Sequence, residues 1–220
     1  VWGADHHGHI SRMKTVVGAL GANPSDLTIM LTQMVALKKG DAFLKASKRS
    51  GNLVELSELV NEVGSDVCRY FFLARTAQSH MEFDLDLAKD QSANNPVYYL
   101  QYAHARIAGI LRTAEAHNID WGNGNPLLLN NPFEIKLMRK MVLFPDLIEA
   151  ASTTLETHQI PLFATELAAE FHLFYQNCQV VSQNNEDAET SKARLKLVAA
   201  AKSILANCLQ LMSISAPEKM

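Results

Sequence analysis

The sequence runs to 220 residues, 48% apolar and 20% charged, which is enough to bury one large core or two modest ones and unlike a disordered polymer. A formal charge of −3 and a pI near 6.2 exclude a bulk positive field, so any nucleic-acid contact has to come from local patches. Cys68, Cys178 and Cys208 lack CxxC spacing and argue against a disulfide framework or a zinc knuckle, and with neither a bilayer-length apolar run nor a secretory leader pattern the expected location is the cytoplasm, with no membrane partner.

In chain order, Val1-Trp2-Gly3 reads as the end of a strand already in progress, so the sequence is expected to start inside a longer protein. Gly3, Gly8, Gly18, Gly21, Gly40 and Gly51 punctuate short apolar stretches, as in an α/β region with tight strand-to-helix turns. The apolar run at 28–36 predicts a buried strand, and Lys38-Lys39-Gly40-Asp41 predicts a hairpin turn before Ala42-Phe43-Leu44. From Leu53 onward the spacing turns helical. Leu53, Val54, Leu56, Leu59, Val60 and Val63 recur at three and four, Gly64 suits a C-terminal cap, and Ser65-Asp66 opens a second helix running through Phe72 to Arg75.

Asn94-Asn95-Pro96 is a capping signal with proline at the first helical position, opening an apolar-periodic segment that reaches about Asn118. Residues 121–126 read as a loop, and Asn131-Pro132, Pro145 and Pro161 each begin or break a helix. A last helix is expected from about Glu189 to Met212, after the polar loop 183–187. The predicted fold class is mainly α: a helical bundle over 95–220, joined by connecting helices over 53–94 to an α/β segment over 1–52, with no internal repeat or low-complexity tract. Met13, Met30, Met34, Met138, Met141 and Met212 sit at apolar spacings and are expected in the core. His80, His104, His117, His158 and His172 form no ligand-like cluster.

Chemistry concentrates first at Lys45-Ala46-Ser47-Lys48-Arg49-Ser50-Gly51-Asn52, where cations and hydroxyls end on a Gly-Asn turn. Such a loop can surround a polyphosphate, because lysine offers a mobile charge, serine a small donor and glycine a close backbone approach. A mobile cation meeting the pyrophosphate leaving group only in the transition state would accelerate its expulsion. Taken alone, a Lys/Arg cluster this short reads more readily as a solvated basic turn, and it is the upstream context that favours phosphate binding. Upstream, Asp5, His6, His7 and His9 follow a strand end through Gly3 and Gly8, the place where α/β domains hold ligands. Adjacent Asp-His-His offers poor single-face geometry for a metal, so polar readers of a nucleotide and an amino acid are expected, and no metal.

Together these segments resemble the class I aminoacyl-tRNA synthetases. Gly3, Asp5 and His9 fit a Gly-x-Asp-x-x-x-His strand end, and Lys45-Ala46-Ser47-Lys48-Arg49 is similar to the family's Lys-Met-Ser-Lys-Ser loop, with Ala46 and Arg49 as departures. Arg49 followed by Ser50, Gly51 and Asn52 is similar to the arginyl enzymes of bacteria, some of whose relatives lack the second lysine that Lys48 supplies here. The resemblance implies an α/β, Rossmann-like catalytic domain ending at the loop. It places Asp5, His6, His9 and Arg49 against arginine and ATP, and gives Lys45, Ser47 and Lys48 to the phosphates. It implies ATP as a substrate, with Mg2+ in the intact enzyme. The His-x-Gly-His signature of the ATP site is read as missing, and catalysis by this chain alone is not expected.

Asn95-Pro96-Val97-Tyr98-Tyr99-Leu100-Gln101-Tyr102-Ala103-His104-Ala105-Arg106 is closely similar to the helix opening the anticodon-binding domain of arginyl-tRNA synthetases. From spacing alone, Tyr99, Tyr102 and Arg106 at i, i+3 and i+7 offer two aromatic planes and a guanidinium on one helical face, on which splayed bases can stack. The same tyrosines could be core residues with wet hydroxyls. The resemblance implies that Tyr99 and Tyr102 face the anticodon loop of tRNA, with Tyr175, and that Met220, closing the Ala216-Pro217-Glu218-Lys219-Met220 ending, lies near it. A tail this short would ordinarily be disordered. Cysteinyl and methionyl synthetases are a weaker match for want of a thiolate cluster. From another class, a nonenzymatic helical RNA-binding module derived from such an enzyme stays open. No DNA partner is expected.

Overall fold

The computed structural model describes residues 1–44, 55–182 and 187–220. Strand β1 (Trp2–Gly3) pairs in parallel with β2 (Leu31–Thr32), and between them residues 4–9 form a 3-10 turn that runs into helix α1 (Ile10–Ala19). Strand β3 (Val35–Lys39) turns through Gly40 and Asp41 into β4 (Ala42–Leu44), with Lys39 opposite Ala42. Gly40 sits at φ +57 and donates its N–H to Asp86 at 2.8 Å, so the predicted hairpin turn needs a residue free of the Cβ penalty. The apolar run at 28–36 is not one buried strand. It splits between β2 and β3, and Met34, Val35 and Ala36 are exposed. Met13 and Met34 are likewise exposed, since α1 buries no residue, whereas Met141 and Met212 lie in the core as expected.

Helices α2 (Leu56–Val63) and α3 (Ser65–Leu73) meet at Gly64, whose φ of +88 makes the sharp turn that the sequence announced. Helical periodicity misses the next element. Met81–Asp84 is strand β5, parallel to β3, and completes a sheet of order β4-β3-β5 before helix α4 (Leu85–Lys89). Met-Glu-Phe-Asp alternates, so Met81 and Phe83 point into a small core with Leu59, Cys68, Leu85 and Ala88 while Glu82 stays exposed. Phe71 and Phe72 pack their rings 5.2 and 5.7 Å from that of Phe83. Two elements on either side of residue 52 therefore share one sheet.

Helix α5 (Pro96–Ala116) starts where predicted. The Asn95 side chain accepts the Val97 N–H at 3.0 Å and donates to the carbonyls of Ala88 and Asp90, so one buried amide both caps α5 and ties it to α4. The bundle continues through α6 (Pro132–Val142), α7 (Phe144–Thr154), α8 (Gln159–Asn177) and α9 (Ala188–Leu211). Its main pairings are α5 with α8 and α9, and α8 with α6 and α9. Leu100, Ile107, Leu137, Leu167, Phe171, Phe174, Leu205 and Leu209 fill the core between them. The three cysteines are free and buried, and burial pushes the Cys208 thiol up to about 12. Among the described residues no helix is long and apolar enough to cross a membrane.

The segment after α9 is docked rather than loose. Ile214 is buried, Ser215 is bound by Asp66 and Gln101, His104 Nδ1 donates to the Pro217 carbonyl at 2.9 Å, and Arg112 donates to the Glu218 carbonyl at 2.8 Å. Glu218 also pairs with Lys202 of α9 at 2.7 Å. Gln101, His104 and Arg112 lie along one stripe of α5, which gives the tail a continuous track.

Candidate nucleic-acid interface

Around α5 from that track, by roughly 130° at 3.6 residues per turn, lies the stripe carrying Tyr102 and Arg106. Arg106 reaches back one turn, donating to the Tyr102 hydroxyl at 3.1 Å with its guanidinium 5.8 Å from that ring, and lies 4.5 Å from the centroid of Tyr175 on α8. The cation is thus held between aromatic groups of two helices. Tyr102 remains 40% exposed, with Tyr98 nearly parallel to it at 6.5 Å. Tyr99 is the inner member. It packs against the bundle core and burial raises its phenol pKa, so of the two tyrosines predicted to share this face it is the more structural.

His172 of α8 joins the cluster, its ring 5.1 Å from Tyr99 and 6.1 Å from Tyr102. Burial first, and the neighbouring Arg106 charge second, lower its pKa, so the ring is neutral at neutral pH. In the sequence this histidine belongs to no metal-like cluster, so ligand spacing gives no sign of it. The available signal was the spacing Phe171, His172, Phe174, Tyr175, which places aromatic groups on two faces of α8. Next to Tyr175 is an open cleft of about 300 Å³ lined by Ile110, Thr113, Cys178, Gln179, Val180 and Val181. Met220 is exposed at the end of the tail, two residues beyond the Glu218 carbonyl that Arg112 holds.

The upstream site residues come together differently. Asp5, His6 and His9 all lie in the 3-10 turn after β1 and are exposed, with the His6 ring 5.8 Å from that of His9 and 6.3 Å from Trp2. His6-His7-Gly8-His9 fits the string His-x-Gly-His, which corrects the expectation that this string is missing from the chain. Among the described residues no group of three or more His, Cys, Asp or Glu side chains could hold a metal ion. Lys45, Ser47, Lys48 and Arg49, the predicted phosphate loop, lie outside the described residues.

A helical bundle whose opening helix displays tyrosines and a guanidinium has the means to stack and hold single-stranded bases. The model of the DALR anticodon binding domain family matches residues 100–220, and the chain belongs to that family. Along its entire length it is 51% identical to an arginine–tRNA ligase of Dehalococcoides mccartyi strain BAV1 and 46% identical to one of Moorella thermoacetica. The chain spans about 39% of the length of those relatives. A crystal structure from Campylobacter jejuni carrying the name arginyl-tRNA synthetase superposes over the whole chain and 47% of its own, with a TM-score of 0.86 at 34% identity. The arginyl-tRNA synthetase of Thermus thermophilus shares the fold at a TM-score of 0.77 and 20% identity, over the whole chain and 40% of its own.

Proposed function

We propose that this chain is the RNA-reading part of an arginine–tRNA ligase and that the face of Tyr102, Arg106 and Tyr175, with Tyr99 beneath it, binds the anticodon loop of tRNA. The observation that carries this is the guanidinium set among aromatic rings on the surface of the domain's opening helix. Splayed bases stack on such planes, and the cation answers the backbone charge locally in a chain whose net charge is −3. Met220, exposed at the end of the docked tail, is assigned to the same loop. The proposed division is 1–52 as the end of a class I catalytic domain, 53–94 as a connecting segment and 95–220 as the anticodon-binding domain.

In the intact cytoplasmic ligase, arginine attacks ATP to give the adenylate and pyrophosphate, and the arginyl group then passes to the terminal ribose of tRNA. Asp5, His6, His9 and Arg49 are assigned to arginine and ATP. Lys45, Ser47 and Lys48 are assigned to the phosphates, which would bring Mg2+ with them as part of the substrate. Adenylate formation is assigned to the longer protein, and the 220-residue chain alone should not catalyse arginine-dependent ATP–pyrophosphate exchange.

The test is a titration of this chain with an RNA hairpin carrying the anticodon loop of an arginine tRNA, at fixed salt because phosphate contacts make binding salt-dependent. Tyr102→Ala should weaken binding by about 1 to 3 kcal/mol, the loss of one stacked base, with a nearly unchanged thermal midpoint. Unchanged affinity would return Tyr102 to a structural role.

A further inference from the structure

Deepening the reading that this face receives an RNA loop, we propose that His172 is its positioning residue: carried by α8, its ring sits against Tyr99 and Tyr102 of α5 and fixes the plane that Tyr102 offers to a base. A tyrosine on a helix surface turns freely about two side-chain torsions, and binding has to pay for stopping it. Here the Tyr102 ring already has neighbours that favour one orientation. The imidazole lies 6.1 Å from the Tyr102 ring at an interplanar angle of 29°, and 5.1 Å from the inner ring, Tyr99, at 56°. Phe171, immediately before it and in the core, anchors the turn of α8 that carries the wedge.

The charge that acts on His172 is Arg106 across the helix pair, and the rings against it are Tyr99 and Tyr102 on α5 and Phe171 on its own helix. Burial and that guanidinium keep the imidazole uncharged, so it acts as a flat, half-buried spacer and leaves Arg106 as the cation of the cluster. His172 does not itself have to touch RNA. Its effect passes through Tyr102, which distinguishes it from a residue that merely fills the core.

The experiment is a double-mutant cycle on the full chain, read by anisotropy with a labelled RNA hairpin carrying the anticodon loop of an arginine tRNA. His172→Ala should weaken binding by about tenfold, within the range for losing one well-placed stacking contact. Tyr102→Ala should weaken it at least as much, and the double variant should be no weaker than Tyr102→Ala alone. His172→Phe, which keeps the ring, should restore binding, whereas His172→Gln, of similar length without a ring, should not. Wild-type affinity in His172→Ala, additive losses in the double variant, or failure of phenylalanine to rescue would each overturn the assignment. If His172→Ala does not fold, the contrast between the Phe and Gln variants decides it. Weakening by Tyr102→Ala with none by His172→Ala sinks only the role of His172; no weakening by Tyr102→Ala sinks the RNA-binding reading and this inference with it.

Discussion

Asp66, in the first turn of α3, holds Ser215 twice through one carboxylate oxygen, from the backbone N–H at 3.1 Å and from the hydroxyl at 2.5 Å. Gln101 of α5 donates its amide to the same oxygen at 2.9 Å. One charge on α3 thereby gathers the opening helix of the bundle and its closing tail. Hydrogen bonds to a charged acceptor are about twice as strong as neutral ones, which makes this node the main tie at that end of the tail.

Asp66→Ala should release the node at a cost of about 1 to 3 kcal/mol, since three donors lose a charged partner. Hydrogen exchange at the Ser215 amide should rise while that of the core amides of α5 stays slow. Unchanged protection at Ser215 would show that the tail is held elsewhere.

Gly124 approaches α9 so closely that a Cβ there would lie 2.5 Å from the Lys192 carbonyl oxygen and 2.9 Å from the Ala193 nitrogen. Both neighbours are backbone and cannot swing aside, so Gly124→Ala should destabilise the bundle by about 1 to 3 kcal/mol, as overpacking does. Lys196, which donates to the carbonyls of Gly122 and Gly124, should lose those contacts as the loop backs away. A thermal midpoint equal to that of the wild type would rule out this close approach.

Glu134 is 1% exposed and serves two purposes: its carboxylate accepts the Asn131 N–H that opens α6 and the Arg194 Nε of α9 at 2.6 Å. Glu134→Ala removes a cap and strands a partly buried guanidinium, for an expected loss of about 3 kcal/mol or more. Replacing Arg194 by Met in the same protein should recover part of that loss. Chemical denaturation of Glu134→Ala, Arg194→Met and the double variant measures it, and strict additivity would mean that the pair is not coupled.

Glu218 has its carboxyl held below the usual range, first by the hydrogen bond from Lys202, with Coulombic help from Lys202, His104 and Arg112. Because the folded value is lowered, its contribution is present above the unfolded value and is lost as pH falls through the folded one. The tail should therefore loosen below the ordinary carboxylate range while the bundle persists. Protection of the amides of residues 218–220, followed down the pH scale against the unprotected rate, reports this, and Glu218→Gln should abolish its pH dependence.

Capping chemistry made the bundle legible from sequence. Asn95-Pro96 and Asn131-Pro132 each place a side-chain acceptor before a proline, and both helices begin there. Gly64 was equally readable, because a residue at positive φ between two helical periods has few substitutes. What escaped was set by partners distant in sequence. Met81–Asp84 is four residues long and becomes a strand only because β3 lies beside it. Of the candidate interface, Tyr102 and Arg106 could be placed by spacing, and Tyr175 through family likeness. The part of His172 could not, since a wedge between two helices exists only once they pack. The docked tail escaped for the same reason: nothing local marks residues 215–218 as bound, and their partners on α5 lie more than a hundred positions upstream.

That separation bears on the order of folding. Gln101 and His104 meet Ser215 and Pro217 across 114 and 113 positions, and α5 also packs along α9, so the helix that opens the bundle is completed only by its final segment. During synthesis α5 would emerge with its apolar stripe unpaired and wait for nearly the whole domain before its last hydrogen bonds could close. Long-range closure of this kind slows folding and leaves that stripe open to unproductive contacts in the meantime. The stripe of α5 that receives the tail is accordingly among the last parts of the bundle to acquire its final shape.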